Sequence, residues 1–335
     1  MPTIRIAING FGRIGRSAFK QLRDDPRFEV VGVNDLADVG DLAYLLRYDS
    51  VYGRYPHPVA TGPVSLRVGD ADIPFFSERD PARIPWRDVG AEIVIESTGA
   101  FRSRAKAASH LEAGAARVIV SAPSDDADGM FVMGVNEHDY DPARHRVVSM
   151  ASCTTNCLAP VAKVVDEAFG IETLMLTTVH AYTSSQSLVD TPTRKRRRGR
   201  AAAVSIIPTT TGATQATERV LPRLAGRMNG MAMRVPVADG SVSDIVVTLA
   251  REATATDVNA ALEEAASKPP LHGVLRVTTD EIVSCDIIGD PASAVVDAPS
   301  TLELSRRVIK VLAWYDNEWG YAARLVDLAA HIAAR

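Results

Sequence analysis

The chain has 335 residues, more than one hydrophobic core usually serves, so two domains are expected. Hydrophobic residues make up 46% and charged residues 23%, a balance that fits a packed globular protein and excludes wholesale disorder. The formal net charge of -4 excludes a chain-wide positive field drawing it to nucleic acid or an anionic membrane, so any anion site must be local.

In chain order, a β-branched run over 3–8 is followed by helical spacing over 13–23 and a second apolar run over 29–33, the order strand, helix, strand. Runs at 93–96 and 118–121 bracket helical spacing over 104–113 and predict further strands of a helix-covered parallel sheet. After Cys153 comes one helix and then β-rich runs at 173–180, 231–237, 243–251 and 308–314, the texture of a mostly antiparallel α+β unit. Pro160 falls inside that helix and is expected to kink or interrupt it. Between His180 and Ile206 lies a long polar stretch without period, the kind of connection that carries function or is disordered. At the C-terminus Tyr321, Leu325, Leu328 and Ile332 share one helical face. The fold expected is α/β: a Rossmann-type parallel-sheet domain over 1–152, onto which a helix over 317–335 packs back, and an α+β catalytic domain over 153–316.

No run reaches the roughly 18 apolar residues a membrane span needs, and the opening MPTIRIAINGFG lacks the order of a signal peptide. The three cysteines, Cys153, Cys157 and Cys285, are too few for a disulfide framework, and their spacing is not that of a zinc or redox pair. A reduced cytoplasmic protein without a metal is the reading these features favour.

Gly10, Gly12 and Gly15 form GxGxxG between a predicted strand and a predicted helix. These glycines permit a tight turn and close backbone approach to a pyrophosphate, which a helix N-terminus attracts. Alone, the pattern could be a glycine-rich turn, but Asp35 closes the second strand about 20 residues on, where a ribose hydroxyl needs an acceptor. Ser152-Cys153-Thr154-Thr155-Asn156-Cys157 opens a helix, and a thiol in a first turn feels the positive end of the helix dipole, which favours thiolate. By position alone both cysteines read equally well as small buried fillers. His180 closes a strand, where a side chain can leave a sheet for a cleft and take a proton from a neighbouring thiol, although a lone histidine is more often structural. Thr183, Arg198, the turn Thr209-Thr210-Thr211-Gly212 and Arg234 could hold phosphates, or could be turns and surface charge. The basic run Arg194 to Arg200 has no interleaved aromatics, which argues against nucleic-acid binding as the main function.

From end to end the chain resembles the glyceraldehyde-3-phosphate dehydrogenases. The matching stretches are INGFGRIGR (8–16), VNDL (33–36), RYDSVYGR (47–54), ESTGAF (96–101), ASCTTNCLAP (151–160), TTVHAYT (177–183), SIIPTTTGA (205–213), NGMAMRVP (229–236) and WYDNEWGY (314–321). The resemblance implies Cys153 as nucleophile, His180 as base and NAD as cofactor. It places that cofactor on Gly10, Phe11, Gly12, Arg13, Ile14, Gly15, Asp35, Leu36, Ser121, Asn317 and Tyr321. It implies a substrate-phosphate site with Thr183 and Arg234, an inorganic-phosphate site with Ser152, Thr154, Arg198, Thr211 and Gly212, and a homotetramer whose loop over 181–205 packs between subunits. The substrates implied are glyceraldehyde 3-phosphate and inorganic phosphate. An erythrose-4-phosphate dehydrogenase, a semialdehyde dehydrogenase and a non-catalytic nucleic-acid-binding protein on the same fold are the alternatives. The chain departs from the family pattern at Met150, where asparagine is usual, at Ser184-Ser185, where an Asn-Asp pair is usual, and at Lys195-Arg196 in the long loop.

Overall fold

The computed structural model describes residues 3–335. Met1 and Pro2, which open the expected first domain and the MPTIRIAINGFG segment, lie outside the described residues. Among the described residues two compact units form. One runs through Phe131 and adds Glu137–Ala151 and Ala322–Arg335, and the other comprises Val132–Asn136 and Ser152–Tyr321.

In the first unit a nine-stranded sheet runs in the order Gly129–Met130, Val147–Ser149, Arg117–Val120, Ile93–Glu96, Ile4–Asn9, Phe28–Asn34, Ala71–Phe76, Ser65–Val68, Val59–Thr61. All neighbours are parallel as far as Ala71–Phe76, and the last two pairings are antiparallel. Consecutive residues Ile6, Ala7 and Ile8 are fully buried, which requires cover on both faces and explains why the run reads as continuous rather than alternating. From Ile4–Asn9 the chain first adds strands on one side, beginning with Phe28–Asn34, and later returns to add Ile93–Glu96 on the other. The first strand therefore stands at a topological switch point, where doubly wound sheets take their ligands.

The helix expected over 104–113 is split into Arg104–Ala107 and Ser109–Glu112. The joint, Ala108, keeps helical angles (φ -61, ψ -20), so the break is a local tightening of the ladder rather than a change of direction. In the C-terminal helix Trp319–Ala333, Leu325, Leu328 and Ile332 are buried as expected, but so are Ala322, Ala323, Val326 and Ala329. Small alanines let the rest of the helix surface approach its neighbours, so burial extends well beyond one stripe.

An eight-stranded mixed sheet forms the second unit, in the order Ile207–Thr210, Met228–Val235, Ile171–Ala181, Ser241–Leu249, Val308–Tyr315, Ala294–Asp297, Leu275–Thr278, with Leu302–Ser305 beside Val308–Tyr315. Most pairings are antiparallel. The exceptions are Ile171–Ala181 with Met228–Val235 and Leu275–Thr278 with Ala294–Asp297. Helix Cys153–Phe169 covers this sheet and continues through Pro160, so the interruption that the proline could have caused does not occur. Proline removes one N–H from the ladder, and the dense burial on every side, including Leu158, Ala159, Val161 and Ala162, outweighs that loss. No helix among the described residues is long and apolar enough to cross a membrane.

Candidate active site

In the first unit the glycine-rich turn leaves strand Ile4–Asn9 and enters helix Arg13–Asp24. Gly10 has φ +93, and a Cβ there would lie 2.6 Å from the Thr98 amide nitrogen; one at Gly15 would lie 2.0 Å from the Gly10 carbonyl oxygen. Only glycine permits this approach of turn, helix and the loop after Ile93–Glu96. The helix begins at Gly12 without a side-chain cap and without an acidic residue in its first turn, so its positive end is left to an anion. Asp35 accepts from the Phe11 amide at 2.6 Å and from the Ala37 amide at 3.0 Å, which holds the turn against the end of the second strand. Arg13 turns its guanidinium to Asp49 at 2.7 Å, so what it offers the cleft is backbone. Phe11 is fully buried against Phe19, Leu36 is exposed, and the Ser121 amide donates to Glu96 O at 2.9 Å. A cleft of about 350 Å³ is lined by Gly10, Gly12, Asp35, Leu36, Arg79 and Thr98 among others. An uncapped helix start, a glycine turn that a Cβ would fill and a carboxylate at the strand end fit a dinucleotide.

In the second unit Ser152 caps helix Cys153–Phe169, its hydroxyl accepting from the Thr155 amide at 3.1 Å, which places Cys153 at the first helical position. Immediately before it Ala151 holds a left-handed φ of 56, a strained conformation of the kind that collects at functional turns. Cys153 Sγ lies 3.5 Å from His180 Nε2. His180 is brought there by strand Ile171–Ala181, whose parallel neighbour pairs it in register with Arg234. His180 Nδ1 stands 2.7 Å from its neighbour's carbonyl, Ala181 O, and 2.7 Å from Arg234 Nη1, which also donates to Ala181 O at 2.7 Å. Each of the two neutral tautomers thus has a hydrogen bond. With Nδ1–H on Ala181 O, Nε2 presents a lone pair to the sulfur; with Arg234 donating to Nδ1, Nε2 presents an N–H.

Burial, and next the Arg234 guanidinium, hold the His180 imidazole down to about 3. Burial pushes the Cys153 thiol up, while Arg234 and the Thr154 hydroxyl and amide pull it back. Arg234 is thus a charge that favours the thiolate, a role that position in the sequence does not disclose. Cys157, one turn on, is fully buried with Sγ on Ala313 O at 3.6 Å, and burial pushes it to about 12.

Thr154 turns inward, its hydroxyl meeting Tyr315 Oη at 2.9 Å; Tyr315 also meets Thr178 Oγ1 at 2.8 Å and packs edge-on to the His180 ring. The Thr183 hydroxyl meets Ser185 Oγ at 2.8 Å, and Arg198 Nε donates to Thr209 Oγ1 at 2.9 Å. Thr211 Oγ1 accepts from the Ala213 amide, and Gly212 begins helix Ala213–Val220 with open space around its Cα. Ser241 donates to Asn317 Oδ1 at 2.6 Å and so orients that carboxamide; Tyr321 is buried. Tyr315 and Ser241 escaped the reading of the sequence. Tyr315 lay within WYDNEWGY, but nothing in that string tells which tyrosine backs the histidine.

Residues 4–104 match the NAD binding domain and residues 152–317 the C-terminal domain of glyceraldehyde 3-phosphate dehydrogenase. The chain is 52% identical over 331 residues to the glyceraldehyde-3-phosphate dehydrogenase of Streptomyces coelicolor, covering 98% of each. The chain belongs to the glyceraldehyde-3-phosphate dehydrogenase family. The glyceraldehyde-3-phosphate dehydrogenase of Geobacillus stearothermophilus and glyceraldehyde-3-phosphate dehydrogenase 1 of Bacillus subtilis are each 52% identical over 332 residues, covering 99% of both chains in each case. Within this family frame the departures acquire addresses. Met150 is fully buried and fills core, Ser185 touches Thr183, and Lys195 donates to Thr210 Oγ1 at 2.9 Å.

Proposed function

We propose that this chain oxidises glyceraldehyde 3-phosphate with NAD and inorganic phosphate, conserving the oxidation energy as an acyl phosphate through a thioester on Cys153. The observation that carries the reading is Cys153 Sγ at 3.5 Å from the imidazole of His180, whose far side is held by Arg234 and Ala181 O. The sulfur's proton passes to Nε2, the S–C bond forms at the aldehyde carbon, and the carbonyl electron pair moves to oxygen, which takes that proton. The hydroxyl proton of this hemithioacetal returns to Nε2 as the carbon gives up its hydride. NAD, when bound, supplies the acceptor for that hydride. A phosphate oxygen then attacks the thioester carbon, the C–O bond forms, and the C–S bond breaks to release the Cys153 thiolate.

Thr183 and Arg234 are the groups proposed for the substrate phosphate, and Ser152, Thr154, Arg198, Thr211 and Gly212 for inorganic phosphate. The inward hydroxyl of Thr154 leaves its backbone as the part to serve there. An anionic phosphate on Arg234 would offset the charge that depresses His180 and so raise its basicity when substrate is in place. Gly10 to Gly15, Asp35, Leu36, Ser121, Asn317 and Tyr321 are the residues proposed for NAD. A homotetramer accords with the apolar side chains left on the second unit, among them Leu188, Val189, Val204, Ile206 and Met175, all more than half exposed. Three free cysteines accord with a reducing cytoplasm. The deciding experiment measures initial rates with glyceraldehyde 3-phosphate, erythrose 4-phosphate and unphosphorylated aldehydes, with and without phosphate or arsenate. NADH formation that needs neither phosphate nor arsenate, or that favours erythrose 4-phosphate, would refute the reading.

A further inference from the structure

Three strands at the centre of the first sheet end in polar side chains that are almost wholly buried. Asn34, Asn9 and Glu96 are register partners across Phe28–Asn34, Ile4–Asn9 and Ile93–Glu96, and each is at most 3% exposed. Asn34 Nδ2 donates to Asn9 Oδ1 at 2.7 Å, and Asn9 Nδ2 donates to Glu96 Oε2 at 2.6 Å. His110 Nε2 stands 2.9 Å from the same Oε2, and the Trp86 indole N–H donates to His110 Nδ1 at 2.9 Å. Trp86 and His110 are both fully buried.

An indole nitrogen can only donate, so His110 Nδ1 must accept, the ring is neutral, and its proton sits on Nε2 facing Glu96. The other oxygen, Oε1, accepts from the Thr98 amide at 2.8 Å and the Thr98 hydroxyl at 2.5 Å. Four donors thus converge on one carboxylate, one from the neighbouring strand, one from helix Ser109–Glu112 and two from the loop at the sheet's carboxyl end. That loop meets the glycine turn directly. Ser97 Oγ donates to Gly10 O at 2.6 Å, and the Gly10 Cα packs on the backbone of Ser97 and Thr98. Glycine turn and loop are two walls of the cleft at the switch point.

We infer that Glu96 is a positioning residue of the cofactor site: its carboxylate, steered by Trp86 through His110, fixes the Thr98 loop and, through Asn9, the glycine turn in the spacing a dinucleotide needs. The inference rests on the reading of that cleft as the NAD site. Glutamine cannot replace the carboxylate, because one of its arms is an N–H₂. Turned toward Thr98 it repels an amide N–H, and turned inward it repels Asn9 and His110. His110 cannot relieve this by moving its proton, since Trp86 already donates to Nδ1. Either way one wall of the cleft moves, and Cys153 chemistry is not involved.

The test uses the full chain and three measurements: NADH affinity by fluorescence titration, alkylation of Cys153 by iodoacetamide without cofactor, and Tm. Glu96→Gln should raise the Kd for NADH about tenfold, the effect of one buried donor left facing a donor, while the alkylation rate stays within about twofold of the parent. Thr98→Ala removes the loop's hydroxyl, which donates to Glu96 and accepts from the Ala100 amide at 3.1 Å, but keeps the Thr98 amide on Glu96, and should raise the Kd about threefold with Tm within about 2 °C of the parent. Glu96→Gln with the parent's Kd and a lowered Tm overturns the proposal and leaves Glu96 a purely structural residue. A parallel fall in alkylation overturns it as well, because the disturbance would then be global. Should Glu96→Gln not fold, Thr98→Ala decides: a Kd equal to the parent's rejects the inference. Asp35→Ala run alongside tests the underlying reading. If only Asp35→Ala weakens NADH, the cleft stands and Glu96 falls; if neither variant does, the cleft itself is not the NADH site.

Discussion

If Arg234 supplies the charge that favours the Cys153 thiolate, replacing it should move the thiol's titration more than replacing the histidine that touches the sulfur. Arg234 Nη1 is 2.7 Å from His180 Nδ1, and His180 Nε2 is 3.5 Å from Sγ. Across the ring the guanidinium and the sulfur are at most roughly 8 Å apart, which at an effective dielectric near 20 gives an attraction of at least about 2 kcal/mol, or roughly 1.5 pKa units before solvent screening. The guanidinium favours the charged thiolate, so Arg234→Gln should raise the midpoint of the alkylation profile by about one unit and slow alkylation about tenfold below it. The reagent should be iodoacetamide, because a charged reagent would itself feel Arg234. His180→Asn should shift the midpoint less, since a ring held down to about 3 carries no charge at neutral pH to lose. By the same sign, alkylation falls as pH drops below the thiol's raised midpoint, and that fall belongs to thiolate taking up a proton and not to His180. The reasoning fails if Arg234→Gln leaves the midpoint in place, or if His180→Asn raises it further than Arg234→Gln does.

Cys153→Ser should abolish turnover, while Cys157→Ser, replacing a thiol sealed in the core, should keep it within about threefold; an active Cys153→Ser enzyme would remove the nucleophile from the scheme. His180→Asn should slow hydride formation by roughly two to four powers of ten in single-turnover experiments, and a loss under threefold would remove His180 as base. Ser185→Asp sets a carboxylate beside Thr183 and should raise KM about three- to tenfold for the phosphorylated aldehyde but not for a free one; equal shifts for both would show that the position does not sense phosphate. The parent should prefer NAD over NADP, because a 2'-phosphate about 4 Å from Asp35 meets a repulsion on the order of 4 kcal/mol before screening. Since Asp35 also holds the Phe11 amide, kcat/KM for both cofactors is best compared in Asp35→Asn, which keeps an acceptor. A parent favouring NADP, or an unchanged ratio in the variant, would count against Asp35.

Much of the fold could be read from the chain because its signals are local. The strands near residues 4–9, 28–34 and 93–96 announce themselves as continuous β-branched runs, and the helix after Gly12 by its glycines and spacing. Pro160 does not end its helix because the penalty of a helical proline is a local quantity, whereas the helix is held by burial along its whole length. The site was legible only where neighbours in sequence are neighbours in space, as in Ser152-Cys153. His180 and Arg234 lie 54 residues apart and meet through strand register. Tyr315 reaches Thr154 and Thr178 across 161 and 137 residues. His110 read as one histidine among seven because Trp86, Glu96 and Asn9 are scattered over about a hundred residues.

The parallel pairing of Ile171–Ala181 with Met228–Val235 runs without a register break from Leu174 with Met228 to Ala181 with Val235. The base and its arginine are thus aligned by main-chain hydrogen bonds, which are indifferent to the side chains that follow them. The stretch after Ala181, with its arginine run, hangs from the end of this alignment and takes no part in making it. Sequence drift there can redraw the surface that another molecule meets while the spacing between imidazole and guanidinium stays constant, so novelty in recognition and constancy in chemistry are kept on separate pieces of backbone.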